Sequence, residues 1–408
     1  MKQDLDRLMG ARGLEALIVV GEGHVNVIRS YLTNGAHVTG GMVVKKRGET
    51  PVMIVNAMET EEAARSGLAV FSMYDLGYAE LIKEVEGDAA KAGALFFGRV
   101  LERFDVKAGR IGVYGEGAIH RYLELIKRVS DANPAYEFVG EDGMTIFDEA
   151  FQTKDADELL RMRSVAARTS QVLGMTWEFI ASHRADDGRV VDTDGTPLTI
   201  GAVKRFVRRA LLDHDLEDTD MIFAQGRDAG FPHSRGENET ILLTGEAIVF
   251  DLFPREIGGG YHHDCTRTWS IGSAKPEVQA AYDLVMNAYE VAVDNFRPNM
   301  PAKAMQEAVQ SYFESHGHAT TRSHPGTTVG YVHSLGHGLG LEIHEKPGIG
   351  HLSKDTLKAG NVITIEPGLY YPDAGYGIRI EDTLIVTDSG ELISLTDFHK
   401  ELIVPLRG

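Results

Sequence analysis

Hydrophobic positions in the first 150 residues fall into short runs separated by amphipathic stretches. GLEALIVVG (13–21), GMVVKK and PVMIVN on either side of the turn at Arg47, Gly48 and Glu49, and RIGVYG (110–115) have the length and bounding residues of strands. Residues 57–66 and 79–105 carry helical spacing instead. The alternation predicts an α/β domain over 1–152, followed by a second domain over 153–408.

The pattern changes at the polar turn FQTKD (151–155), which leads into a long helical run, DADELLRMRSVAARTSQVLGMTWEFIASH. Asp155 is the expected N-cap, with Glu158 three residues on completing a capping box. ADDGRVVDTDGTP (185–197) reads as a surface loop. Helices are predicted at 198–213, 276–296 and 302–316, the last two separated by the turn Arg297, Pro298, Asn299. Strand pairs lie between and after them. Two helix pairs and two sets of strands make this an α+β domain and hint at an internal duplication.

Composition narrows the functional classes. At 408 residues, 43% hydrophobic and 25% charged, the chain is that of an ordinary folded protein with a sizeable core. With 41 basic against 60 acidic side chains the formal charge is −19, which argues against a nucleic-acid partner, because phosphate binding needs a basic face. One cysteine, Cys265, allows no internal disulfide and suits a reducing compartment. The N-terminal residues lack the apolar core of a signal peptide, and no run approaches the roughly 20 apolar residues that span a bilayer. Cytoplasmic placement with no membrane partner is the expectation.

The segment 332–345, VHSLGHGLGLEIHE, concentrates candidate chemistry. Gly336, Gly338 and Gly340 would each cost about 1 kcal/mol in a helix, so the segment is not helical. His333 and His337 are spaced like a helical zinc pair, yet Ser334 stands where that motif needs Glu. The run after His344 and Glu345, through Lys346, Pro347 and Gly348, reads as a turn. The remaining reading is an extended segment whose glycines admit close backbone packing around a site, leaving one histidine for a metal and another for a ligand.

Acids that could complete such a site emerge from apolar strands. Asp251 follows Ala-Ile-Val-Phe, and Asp264 lies on the return strand of the same predicted hairpin (247–272). Glu366 follows Val-Ile-Thr-Ile and Glu381 follows Gly-Ile-Arg-Ile in a second hairpin (362–387). A carboxylate in an apolar strand is costly unless paired. Arg267 and Arg379 are at hand as partners, which would make the acids structural. Four carboxylates with His337 instead suit two divalent cations, since one ion cannot balance that charge. Oxygen ligands with one nitrogen fit manganese or cobalt, with zinc possible.

The motifs GYHHDCTRT (260–268), HSLGHGLGLEIHE (333–345), VITIEPGLYY (362–371) and GIRIEDTLIVT (377–387) resemble those of the pita-bread metallopeptidases, family M24, which include aminopeptidase P, prolidase and methionine aminopeptidase. RLMGARGLEALIVV resembles the opening of the non-catalytic N-terminal domain of the creatinase and prolidase type. The resemblance implies a pita-bread catalytic domain with pseudo-two-fold duplication and the metal ligands Asp251, Asp264, His337, Glu366 and Glu381. It implies active-site roles for His233, His333 and His344, and for Arg379 beside the last ligand. It further implies hydrolysis of Xaa-Pro peptide bonds by a hydroxide bridging two metal ions, with Glu366 relaying a proton and His344 steadying the oxyanion. The N-terminal domain favours prolidase or aminopeptidase P over a plain methionine aminopeptidase, and homodimers or tetramers are expected. A creatinase-like hydrolase lacks this ligand set, and non-catalytic binding proteins on this fold usually lose it. Phe253 departs from the pattern, standing where the family usually has glycine, and the stretch from Asp251 to Asp264 looks about two residues long. Cys265 is expected on the strand face opposite Asp264, as a buried apolar residue.

Overall fold

The computed structural model describes residues 4–21 and 26–407. Contacts divide the chain into two compact units, 1–150 with 258–260 and 151–257 with 261–408.

The first unit is built on a six-stranded sheet in the order Ala69–Ser72, Val52–Val55, Met42–Lys46, Leu14–Gly21, Gly109–Glu116, Tyr136–Val139. Leu14–Gly21 pairs antiparallel with Met42–Lys46 and parallel with Gly109–Glu116. Nearly all of its residues are buried, as in a strand covered on both faces, which reads as an unbroken apolar run. The helix expected at 79–105 is two helices, Tyr78–Glu84 and Ala89–Arg103. The chain breaks where Glu86 and Gly87 take positive φ (55° and 87°), and Asp88 restarts it by accepting from Ala90 N–H and Lys91 N–H. The stretch 57–66 is a 3-10 turn, Ala57–Glu59, running into the short helix Thr60–Ala64.

The second unit contains two similar halves. Helices Ala156–Ala181 and Ile200–Asp213 share a core with a sheet formed mainly by Met221–Gln225, Ala247–Leu252 and Cys265–Ala274. Pro276–Asn295 and Lys303–Ser315 share another with the sheet Glu345–Ile349, Gly336–Gly338, Val362–Ile365, Asp382–Val386, Leu392–Ser394. The capping box of Asp155 and Glu158 forms. Residues 185–197 are not all loop: Arg184–Asp186 and Arg189–Val191 pair as a hairpin, closed by Asp187 and Gly188 at positive φ. That Asp-Gly pair is a hairpin signal that composition alone masked. The turn expected at Lys346–Gly348 is also a strand, part of Glu345–Ile349, because its neighbour Gly336–Gly338 supplies a sheet edge that local propensity cannot show. Among the described residues no helix is long and apolar enough to cross a membrane.

Candidate active site

The two antiparallel strand pairs bring their carboxylates to one place. Asp251 sits opposite Thr266 in the first sheet, and Asp264 immediately precedes the return strand Cys265–Ala274 rather than lying within it. In the second sheet Ile365 pairs with Asp382, so Glu366 and Glu381 occupy the next rung beyond the paired residues. The sheets are joined there: Glu381 N–H donates to Thr266 O at 3.0 Å, and Thr266 Oγ1 donates to Glu381 Oε2 at 2.7 Å. Arg267 reinforces the joint from below, pairing with Asp382 (2.9 Å) and donating to the carbonyls of Thr266 and Glu381. It is therefore no partner for the site carboxylates, unlike Arg379.

His337 reaches this place because its flanking glycines have no side chains. A Cβ on Gly336 would lie 2.0 Å from Thr364 O, and one on Gly338 would lie 2.2 Å from Lys346 O. The neighbouring backbones occupy the room a side chain would need. His337 N–H donates to Thr364 Oγ1 (3.1 Å), and Nδ1 engages Gly338 O (3.0 Å). That leaves Nε2 aimed into the cluster, 3.7 Å from Asp264 Oδ2 and 3.4 Å from Glu366 Oε1. One donor atom each from Asp264, His337 and Glu381 lies within 4.8 Å of the others.

The electrostatics are those of a cluster made to hold cations. Asp251, Asp264 and Glu381 are buried, and Asp251 Oδ1, Asp264 Oδ1 and Glu381 Oε1 have no hydrogen-bond partner. Burial, and then repulsion from Asp251 and Glu366, holds the Asp264 carboxyl well above its usual range. Glu381 is raised in the same way by burial and by Asp264. Glu366 is pushed up to about 8, chiefly by burial and despite the nearby Arg379. Burial pushes His337 down to about 3, keeping its imidazole neutral and able to act as a nitrogen ligand. Orphaned carboxylate oxygens and a neutral imidazole fit hard divalent ions, whose charge would supply what the acids lack.

The other expected residues surround the cluster. Arg379 is almost fully buried, and its Nη2 pairs with Asp251 Oδ2 at 2.5 Å. It also donates to Thr266 Oγ1 (3.0 Å), Tyr370 OH (2.9 Å) and Pro232 O (3.1 Å). His333 is held by Tyr370 OH (2.9 Å) and Ser334 O (2.7 Å), and burial lowers it to about 3. The His344 ring stands edge-on to His337, with centroids 4.4 Å apart. His233, His333, His344, Asp251, Asp264, His337, Glu366, Arg379 and Glu381 all line one cavity of about 880 Å³. Sequence reasoning missed Thr266, Thr364 and Tyr370, whose hydroxyls hold Glu381, His337 and His333. All three lie inside the quoted motifs, and the alternation that puts Thr266 two residues beyond Asp264 and Thr364 two before Glu366 was the available signal. It also missed Arg235, whose Nη1 donates to the carbonyl of His233 at 2.9 Å. Cys265 is buried in the core away from the cavity, as expected.

Two sheets with paired helices, meeting at a carboxylate and histidine cluster, together with a separate α/β unit, define a pita-bread protein with an N-terminal domain. Solved structures agree: an X-Pro aminopeptidase from Thermotoga maritima superposes with a TM-score of 0.77 at 20% identity, over 97% of this chain and 99% of that one. An Xaa-Pro dipeptidase from Bacillus anthracis gives 0.75 at 22% identity, over 98% and 99%. The chain belongs to metallopeptidase family M24, whose model matches residues 161–388. In sequence it is similar to an Xaa-Pro dipeptidase of Pyrococcus furiosus, 37% identical over 187 residues, which are 45% of this chain and 49% of the relative. The chain thus spans about half the length of the curated relatives it matches.

Proposed function

We propose that this protein is a metal-dependent exopeptidase that hydrolyses Xaa-Pro bonds, as a prolidase or an aminopeptidase P. The observation that carries the reading is the convergence of Asp264, His337 and Glu381 donor atoms within 4.8 Å, with partnerless carboxylate oxygens beside them, in a cavity lined by three further histidines. Asp251, Asp264, His337, Glu366 and Glu381 would hold two divalent ions, manganese or cobalt by the oxygen-rich donor set. Ions bound there supply positive charge and a water that loses its proton near neutral pH.

The chain's own groups do the rest. Glu366 borders the cluster, its Oε1 3.4 Å from His337 Nε2, where its carboxylate can take up and pass on a proton. His344, beside His337 on the cavity wall, donates to the oxygen on which negative charge develops. Arg379 fixes Asp251 and, through Pro232 O, the loop that carries His233. The acidic cluster attracts the free amine of a peptide, which suits removal of a terminal residue. The first unit carries none of these residues and is read as non-catalytic. Pairing of chains into homodimers or tetramers and a cytoplasmic place, consistent with the single Cys265, belong to the same reading.

The test is amino-acid release from Ala-Pro, Ala-Pro-Ala and Met-Ala-Ala by protein dialysed against chelator and reloaded with manganese or cobalt. Cleavage of Ala-Pro alone identifies a prolidase, and cleavage of Ala-Pro-Ala an aminopeptidase P. Cleavage of Met-Ala-Ala alone, or of none, refutes the reading.

A further inference from the structure

Phe253 lines the same cavity as the metal-site cluster, two residues beyond Asp251. Phe253 follows directly on the end of the strand Ala247–Leu252, and both side chains reach the cavity. The neighbouring strand pairs Met221 with Leu252 at its last rung, and Asp220, the residue before it, lines the same cavity as Phe253. The Asp220 carboxylate is already taken: Oδ2 accepts from Arg235 Nε at 2.9 Å and forms an ion pair with its Nη2 at 2.9 Å. The two charges satisfy each other, leaving the Phe253 ring and Ile222 as the apolar part of this wall.

The backbone that carries Phe253 is also held in place. Phe253 O accepts from Thr219 Oγ1 at 2.7 Å. His262 N–H is tied to Gly340 O at 2.8 Å, and His263 N–H to Pro254 O at 3.0 Å. The extra length between Asp251 and Asp264 is thus bonded at both ends rather than loose. The cavity's 880 Å³ is large for a dipeptide, since small-molecule pockets run about 300 to 1,000 Å³, so Phe253 offers a surface rather than a block.

We infer that Phe253 is the specificity-determining wall that selects an aliphatic residue, such as leucine, before proline, over glycine or a charged residue. The inference rests on the Xaa-Pro reading, in which proline takes one side of the scissile bond and leaves the preceding side chain to be selected.

The experiment compares kcat/KM for Leu-Pro, Gly-Pro, Lys-Pro and Asp-Pro in manganese-loaded wild type, Phe253→Leu and Phe253→Gly, with calorimetric Kd for the same peptides. Wild type should favour Leu-Pro over Gly-Pro by about tenfold or more, the scale of discrimination an apolar contact provides. Phe253→Leu should keep most of that ratio, and Phe253→Gly should bring it close to unity with metal content unchanged. A ratio that survives in Phe253→Gly overturns the inference. Phe253→Gln, polar and of similar length, is read the same way if the glycine variant does not fold. If wild type cleaves none of the peptides, the Xaa-Pro reading fails by itself. The wall is then decided by binding: Leu-Pro tighter than Gly-Pro only when Phe253 is present supports it, and equal affinities refute it.

Discussion

Stripping the protein of metal and raising the pH should destabilise it, in a window set by two opposing groups. Glu366 titrates at about 8 in the fold against 4.5 for an ordinary glutamate. Between those values the folded chain keeps a proton that the unfolded chain has lost, so stability falls as pH rises. His263, His333 and His337, pushed down to about 3 by burial, and His262, pushed down to about 4, act in the opposite sense. Below 6.5 their unfolded forms bind protons that the folded forms refuse, so stability rises with pH until the unfolded histidines are neutral. Above 6.5 only the carboxylates remain. From 6.5 to about 8, at 1.36 kcal/mol per pH unit, Glu366 alone contributes a loss of about 2 kcal/mol. Asp264 and Glu381, also raised, act in the same direction. Urea midpoints of chelator-treated protein should therefore peak near pH 6.5 and fall toward pH 8. Glu366→Gln should remove about 2 kcal/mol of that fall, and the metal-loaded protein should lack it, because cations stabilise the ionised carboxylates. Metal-free stability that is level or rising from pH 6.5 to 8, or an unchanged fall in Glu366→Gln, would refute the reasoning.

Three further outcomes follow from the geometry. Asp264→Asn should lose metal and activity together, and elemental analysis showing two ions per chain would contradict the ligand assignment. His344→Ala should lower kcat by roughly 10² or more with metal retained, whereas a change in KM alone would remove His344 from the chemistry. Gly338→Ala would push a methyl to within 2.2 Å of Lys346 O. That should cost about 1 to 3 kcal/mol by denaturant unfolding and loosen metal binding at His337, and a variant as stable as wild type would show that the two strands can separate freely.

Much of the site was legible because its residues break local rules. Carboxylates emerging from largely apolar strands, and glycines alternating between histidines, are costly in isolation, so Asp251, Glu366, Glu381 and His337 stood out from their neighbours. Phe253 was visible only as a departure from a resemblance, and its place on the cavity wall came from the folded structure. Thr266, Thr364 and Tyr370 gave no comparable signal, since hydroxyls in strands are ordinary and their importance lies in what they touch. The break at Glu86 and Gly87 and the hairpin at Asp187 and Gly188 escaped for a related reason: a backbone turn is a matter of φ, which several residue types can adopt.

What this sequence determined by itself was the set of elements and the chemical type of the site, because hydrophobic period and misplaced charge are local properties. Tertiary structure decided which partner each group meets. Arg379 could have paired with any of four acids, and the meeting of two sheets gives it Asp251. Arg267, equally placed in sequence, is turned to Asp382 on the opposite face of the joint. Contacts between strands of different sheets, more than 100 residues apart in sequence, make that choice, and they are set by the packing of whole sheets rather than by any local pattern.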